Sequence, residues 1–237
     1  MGCDIHTRVE VRRDGKWTPY NGPWICYACD GESPMWKKMG HNRECYGCNG
    51  TGVSDQPWRE RNYDVFGMLA GVRSDEWKII SNDRGFPKDI ATKFDIDGDP
   101  DDVWWPGDHS YGFATLAELQ AYDWWQTKIA YGVVGLSVFA RWNRITAPVW
   151  YSGGVSGGSI KHVTMAEAER HLQNHPAPPL CLDYFEPSNI YVIDCAWVQT
   201  AAQSAGNFIT FVAEMTNLVH REKVGCSDVR LVFGFDS

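Results

Sequence analysis

The hydrophobic rhythm of the chain changes several times. Between residues 4 and 20, Ile5, Thr7, Val9 and Val11 alternate with Asp4, His6, Arg8 and Glu10, the period of a strand with one face in a core. Asp14-Gly15 is a two-residue turn signal and Lys16-Trp17-Thr18 starts a return strand, so the stretch predicts a hairpin. The rhythm is helical from Arg59 to Arg73, where Phe66, Leu69, Ala70 and Arg73 share a face and Asp64 stands where a cap is needed. Thr115 with Glu118, and Thr164 with Glu167, are capping-box patterns. They predict helices from Leu116 to Trp124 and from Thr164 to about Gln173, the second ended by Pro176, Pro178 and Pro179. Val133 to Arg141 is a short apolar run read as a buried strand, and Ile190 to Val198 reads as another. Thr200 with Gln203 predicts the start of the longest helix, running to about Lys223 with Phe208, Phe211, Val212, Met215, Leu218 and Val219 as its apolar stripe. Val229 to Asp236 closes the chain as a strand, with Leu231, Phe233 and Phe235 on one face and Arg230 and Asp236 on the other.

Strands and helices mix without regular βαβ repetition. The pattern predicts an α+β fold: a mixed or antiparallel sheet with packed helices, residues 1–237 forming one domain, interrupted by an inserted four-cysteine zinc-knuckle module at 24–54.

That module carries the clearest chemistry. Cys26-Tyr-Ala-Cys29 is followed by fifteen residues and then Cys45-Tyr-Gly-Cys48. Two Cys-x-x-Cys pairs at this separation have the spacing of a structural zinc site, in which four thiolates fill a tetrahedron and leave no open position. Two disulfides are the alternative. The scatter of Cys3, Cys181, Cys195 and Cys226 and the lack of a secretory leader favour zinc in a reducing compartment, with those four as free thiols. His41, between the pairs, is a loop histidine or a substitute ligand. The second pair continues Asn49-Gly50-Thr51-Gly52, so Cys-x-x-Cys-x-Gly-x-Gly resembles one knuckle of a DnaJ-type zinc domain. Glycine there permits a positive φ and brings backbone N–H groups towards sulfur.

Charge narrows the partners. The net charge of −8 opposes nonspecific binding to a polyanion, which needs clustered Lys and Arg. Lys37, Lys38 and Arg43 beside the cysteines, with stacking tryptophans, keep a zinc-knuckle nucleic-acid reading open. The twelve Trp suit a core or an aromatic pocket for a nucleotide-like molecule. No apolar run reaches eighteen residues, so no membrane span is expected. Met1-Gly2-Cys3 is not a myristoylation start, because position 6 is His6.

Outside the cysteines the candidate chemistry is spread along the chain. Asp4 and His6 lie on one face of the first strand, as metal ligands or an acid–base pair, or as part of a solvated polar face. Arg61 and Asn62 could hold an anion or a neighbouring loop, and Arg84 could help hold a nucleotide-like ligand. Asp95-Ile-Asp97-Gly98-Asp99-Pro-Asp101-Asp102 has the alternating aspartates of a calcium loop, but its glycine and twelfth residue are out of place, and a solvated acidic loop is expected. Trp104 to Gly112 is a glycine-bounded loop carrying Asp108, His109 and Ser110. Ser152-Gly-Gly-Val-Ser-Gly-Gly-Ser159, with Lys161 close by, could cradle a phosphate, or form a flexible lid or a plain loop.

The opening Met-Gly-Cys-Asp-Ile-His, with Arg61-Asn62-Tyr63-Asp64-Val65-Phe66, Arg84-Gly85-Phe86-Pro87, Asp108-His109-Ser110 and Val229-Arg230-Leu231-Val232-Phe233-Gly234-Phe235-Asp236, resembles a family of uncharacterised bacteriophage and bacterial proteins. The resemblance spans most of the chain outside the cysteine module. It implies a phage or prophage setting, hence host-cell cytoplasm, and no particular reaction.

Pairing of the first and last strands would gather Asp4, His6 and Asp236 on one face, with Asp108 and His109 above them. That set suits a second, catalytic divalent metal activating water against a nucleotide or phosphoester bond. The alternatives are a non-catalytic binder of a host nucleotide signal or host protein, and the zinc-knuckle nucleic-acid binder.

Overall fold

The computed structural model describes residues 2–26, 29, 32, 45, 48–54, 57–58, 60–82, 84–91, 109–155, 160–180 and 191–236. The chain is α+β, with antiparallel and mixed sheets. It divides into two compact units, residues 1–124 with 202–237, and residues 125–201. The sequence patterns suggest one body, because alternation marks a strand without saying which sheet it joins.

The first unit is built on a four-stranded sheet. Strand β1 (Ile5–Arg13) turns through Asp14 and Gly15, both at positive φ, into β2 (Lys16–Tyr20). The sheet order is β2-β1-β9-β5, with β5 spanning His109–Thr115 and β9 Val229–Phe235. Both strands flanking β9 run antiparallel to it. The strands nearest the two termini are therefore central, and β9 is buried along its whole length. The face carrying Ile5, Val9, Leu231, Phe233 and Phe235 packs into a core with Trp58, Phe66 and Phe208. Helix α1 (Tyr63–Ala70) packs there, and α2 (Leu116–Ala121) follows β5.

On the opposite face Asp4, His6 and Arg8 are half-buried and Arg12 is exposed, but one pair of charges is withdrawn from solvent. Glu10 is fully buried and its carboxylate accepts from the Arg230 guanidinium at 2.7–2.8 Å. Arg230 also reaches Asp89 at 2.8 Å and lies 3.9 Å from the Trp17 ring centroid. Buried charge survives because each partner is matched.

The second unit is a three-stranded sheet of order β6-β8-β7: Thr127–Gly135, Tyr191–Thr200 and Lys161–Val163. Its core holds Val134, Phe139, Ile193 and Trp197. The apolar run read as one strand breaks in two: β6 ends at Gly135, and a short helix, α3 (Leu136–Phe139), follows. Helix α4 (Met165–Asn174) opens with the expected Thr164–Glu167 box. The long helix is also divided. Helix α5 (Ala201–Ala205) stops at Gly206, at φ 53 and ψ −128, and α6 (Asn207–Glu222) restarts beyond it. A Thr200 cap cannot serve both pieces. Phe208, Phe211, Val212, Met215 and Leu218 are the buried stripe of α6.

Trp17, Trp24, Trp58, Trp77, Trp142 and Trp197 are buried, so most described indoles are core. No helix among the described residues is long and apolar enough to cross a membrane.

Candidate metal centre

Strands β3 (Trp24–Ile25) and β4 (Val53–Ser54) pair antiparallel, Trp24 opposite Ser54 and Ile25 opposite Val53. The cysteine segment thus leaves and rejoins the body at adjacent points. Cys26 extends the ladder, its N–H donating to Gly52 O at 3.0 Å. Each Cys-x-x-Cys pair closes a tight turn: Cys29 N–H donates to Cys26 O, and Cys48 N–H to Cys45 O. Asn49, Gly50 and Gly52 have positive φ, and this geometry aims the Gly52 N–H at Cys48 Sγ, 3.2 Å away. The glycines do what the pattern predicted.

The four cysteines form their own buried cluster. Cys26 Sγ lies 3.7 Å from Cys45 Sγ, and Cys29 Sγ 3.8 Å from Cys48 Sγ; all four sulfurs fall within 4.8 Å of one another. All four are free cysteines, since a disulfide needs sulfurs at about 2.05 Å. The cluster could hold a metal ion. Burial pushes the Cys48 thiol up, but the Gly52 N–H and the neighbouring thiols outweigh it and bring it down to about 6. The donor set thereby favours the thiolate form in which cysteine binds metal. His41 lies outside the described residues.

The Asp/His set is only partly assembled. Asp4 and Asp236 meet: Asp4 N–H donates to Asp236 Oδ1 at 2.6 Å, and Asp236 N–H to Asp4 O at 3.2 Å. His6 stands opposite Gly234 on the same face. His109, however, stands opposite Phe235, which stands opposite Ile5, and so points to the other face; its ring lies 6.5 Å from Phe235. Its Nδ1 is 3.0 Å from Ser110 Oγ. Placing His109 above Asp4 and His6 is therefore corrected by the register of β5. Asp108 and the acidic run at 95–102 lie outside the described residues. Among those described, the cysteines alone form a group of three or more metal-binding side chains close enough to share an ion.

The residues expected to bind an anion have other work. Arg61 grips both Asp4 oxygens at 2.7 Å, and Asp4 carries its guanidinium above the usual range. Asn62, not Asp64, caps α1, accepting from Val65 N–H at 3.1 Å, and its Nδ2 donates to Ser204 O. Asp64 instead accepts from the Trp77 indole. Arg84 sits 2.6 Å from Glu118 and donates to Ile80 O. Lys161 lies 5.8 Å from the Tyr191 ring. In the glycine loop, Gly154 N–H is taken by Ser152 Oγ; residues 156–159 are outside the described set.

Two groupings escaped the sequence reading. One is the Glu10–Arg230–Asp89 network, whose members are spread over most of the chain. The other is His162, which donates from Nε2 to Val155 O at 2.9 Å and lies 3.3 Å from Asp194 through Nδ1. The Val155 carbonyl first, then Asp194, raise its pKa above the ordinary imidazole value. Only the alternation that puts His162 and Asp194 on neighbouring strands could have hinted at it. No protein-family profile, curated protein or solved structure matches the chain.

Proposed function

We propose that the four cysteines hold one structural zinc ion and that the chain is a zinc-stabilised binding protein rather than a hydrolase. The observation that carries this is the sulfur geometry. Zinc–sulfur bonds of about 2.3 Å in a tetrahedron place sulfurs about 3.8 Å apart; the pairs Cys26–Cys45 and Cys29–Cys48 stand at 3.7 and 3.8 Å. Four thiolates exhaust the ion's coordination, so it would brace the loops and meet no substrate.

The case against hydrolysis rests on Asp4. Arg61 holds both its oxygens and competes with a metal for that carboxylate. His109, on the other face, cannot share an ion with His6. The partner in this reading is a nucleotide-like molecule or a host protein, in the phage-like setting that the resemblance implies.

Elemental analysis of the purified chain tests the reading together with a phosphoester hydrolysis assay. The expected result is one zinc per chain, lost in the Cys26→Ser, Cys45→Ser double variant, and no turnover. A second bound metal, with hydrolysis abolished by His6→Ala, would restore the hydrolase.

A further inference from the structure

A short segment of chain crosses one face of the sheet in the 125–201 unit. Register puts Val133 of β6 opposite Asp194 of β8, and His162 of β7 opposite Val192 of β8. Val192 and Asp194 are two residues apart, so all four side chains share that face. Val133 and Val192 are 4% and 0% exposed, and Trp150, Val155 and Ile160 pack against them. The segment is fastened at both ends. On β6, Val133 N–H donates to Ser152 O at 2.8 Å, and Ser152 N–H donates back to Val133 O at 3.0 Å. On β7, His162 Nε2 donates to Val155 O at 2.9 Å. Because β8 lies between β6 and β7, residues 152–155 tie the two outer strands across it. Nothing lies within 4 Å of where a Cβ would stand on Gly153 or Gly154, and the Gly154 N–H is taken by Ser152 Oγ inside the segment. The middle of the crossing therefore rests on its ends.

We propose that His162 is a pH-operated latch: as an imidazolium it fastens residues 152–155 across the sheet, and on losing a proton it lets the Val155 end go. Both ring nitrogens face acceptors, Nε2 the Val155 carbonyl and Nδ1 the Asp194 carboxylate at 3.3 Å. An imidazolium donates from both, whereas a neutral imidazole has one N–H and a lone pair in place of the other. The neutral ring keeps its proton on Nδ1, because a hydrogen bond to a charged acceptor is about twice as strong as one between neutral groups. Nε2 then turns its lone pair towards the Val155 oxygen, and the two repel. Asp194 is the charge that faces the ring from β8. Val133, Ile160 and residues 150–155 bring none, and the ammonium of Lys161, the next residue on β7, lies 5.8 Å from the Tyr191 ring centroid. The Val155 carbonyl, then Asp194, raise the pKa of the imidazole. The latch is therefore closed below that raised value and opens as pH rises through it. What it uncovers is apolar. Tyr131 and Val198 share this face by register and are already 75% and 42% exposed; release of Val155 adds Val133 and Val192 to the same strip.

The test is NMR on the full chain as pH is raised through the His162 ring titration. Cross-peaks from the Val155 methyls to those of Val133 and Val192 should be present on the acid side and be lost with the same midpoint as the ring signals. Above that midpoint, long-range proton–nitrogen spectra should show the Nδ1–H tautomer of His162. His162→Gln, which cannot take up the proton, should abolish the pH dependence of the cross-peaks. Cross-peaks that persist unchanged through the titration overturn the latch, as does an Nε2–H ring above the midpoint. So does a loss of cross-peaks with pH that survives in His162→Gln. The first two readings are made on the unaltered protein, so they decide the matter even if the variant fails to fold.

Discussion

Arg230 is a guanidinium almost wholly removed from water, its side chain 4% exposed, against a Glu10 that is not exposed at all. Attraction inside the core offsets the loss of hydration only while both charges remain. Arg230→Met should therefore destabilise the fold by about 3–5 kcal/mol in urea unfolding, since it strands the Glu10 carboxylate. The double variant Glu10→Leu, Arg230→Met should lose less than the single one, because it leaves no unpaired charge; equal or larger loss would count against this account. Asp89 gives the network a pH signature. Arg230 holds its carboxyl below the usual value, and a depressed folded pKa stabilises above the unfolded value and is lost as pH falls through the folded one. Glu118 has the same sign: burial pushes it up, but the Thr115 N–H and Arg84 outweigh that and leave it lowered. Thermal stability should thus hold from neutral pH down to the ordinary carboxylate range and fall below it. His162 has the opposite sign, its contribution fading as pH rises through its raised pKa. Asp194→Asn should move the His162 NMR titration midpoint down, though not fully to its ordinary value, because the Val155 carbonyl remains.

Among the elements, what the sequence revealed was what local chemistry decides. The two capping boxes involve residues three apart and form as read, with Thr115 and Thr164 each accepting from the third residue of its helix. The hairpin turn needs two positive φ values, and Asp14-Gly15 supplies them. Elsewhere the local signal was ambiguous. Val133 to Arg141 is apolar almost throughout, and an apolar run has no period to separate strand from helix. Asn62 and Asp64 both suit a cap, and the Trp77 indole, further along the chain, claims Asp64. A lone glycine is tolerable inside a helical pattern, yet Gly206, with φ of 53 and ψ of −128, splits α5 from α6. Nothing lies within 4 Å of where a Cβ would stand at this glycine. Gly206→Ala therefore isolates backbone strain from crowding, and should destabilise by about 1–3 kcal/mol in thermal melts. An unchanged melt would mean that the helix break can relax.

At the scale of the whole molecule, the cysteine cluster was legible because metal spacing is written in neighbouring residues, whereas the Asp/His set depended on strand register, which alternation alone leaves open by one residue. That difference also governs stability. The ties of the cysteine segment to the body include the two-residue ladder of β3 and β4, the packing of Trp24 against Tyr20 and Phe211, and the Ile25–Glu214 bond. If the cluster holds the proposed ion, that ion supplies much of the segment's cohesion, because sulfurs under 4 Å apart repel as thiolates once nothing bridges them. The four-stranded sheet has its own core, and so does the 125–201 unit. Removing the metal with a chelator should therefore be a local event. Hydrogen exchange should quicken at Cys26, Cys48 and Gly52 and spread to Ile25, while the amides of β1 and β9, and of β8 in the other unit, keep their protection. If chelation instead opens β9 as fast as the knuckles, the ion supports the central sheet, and Trp24 is the side chain through which that support would run.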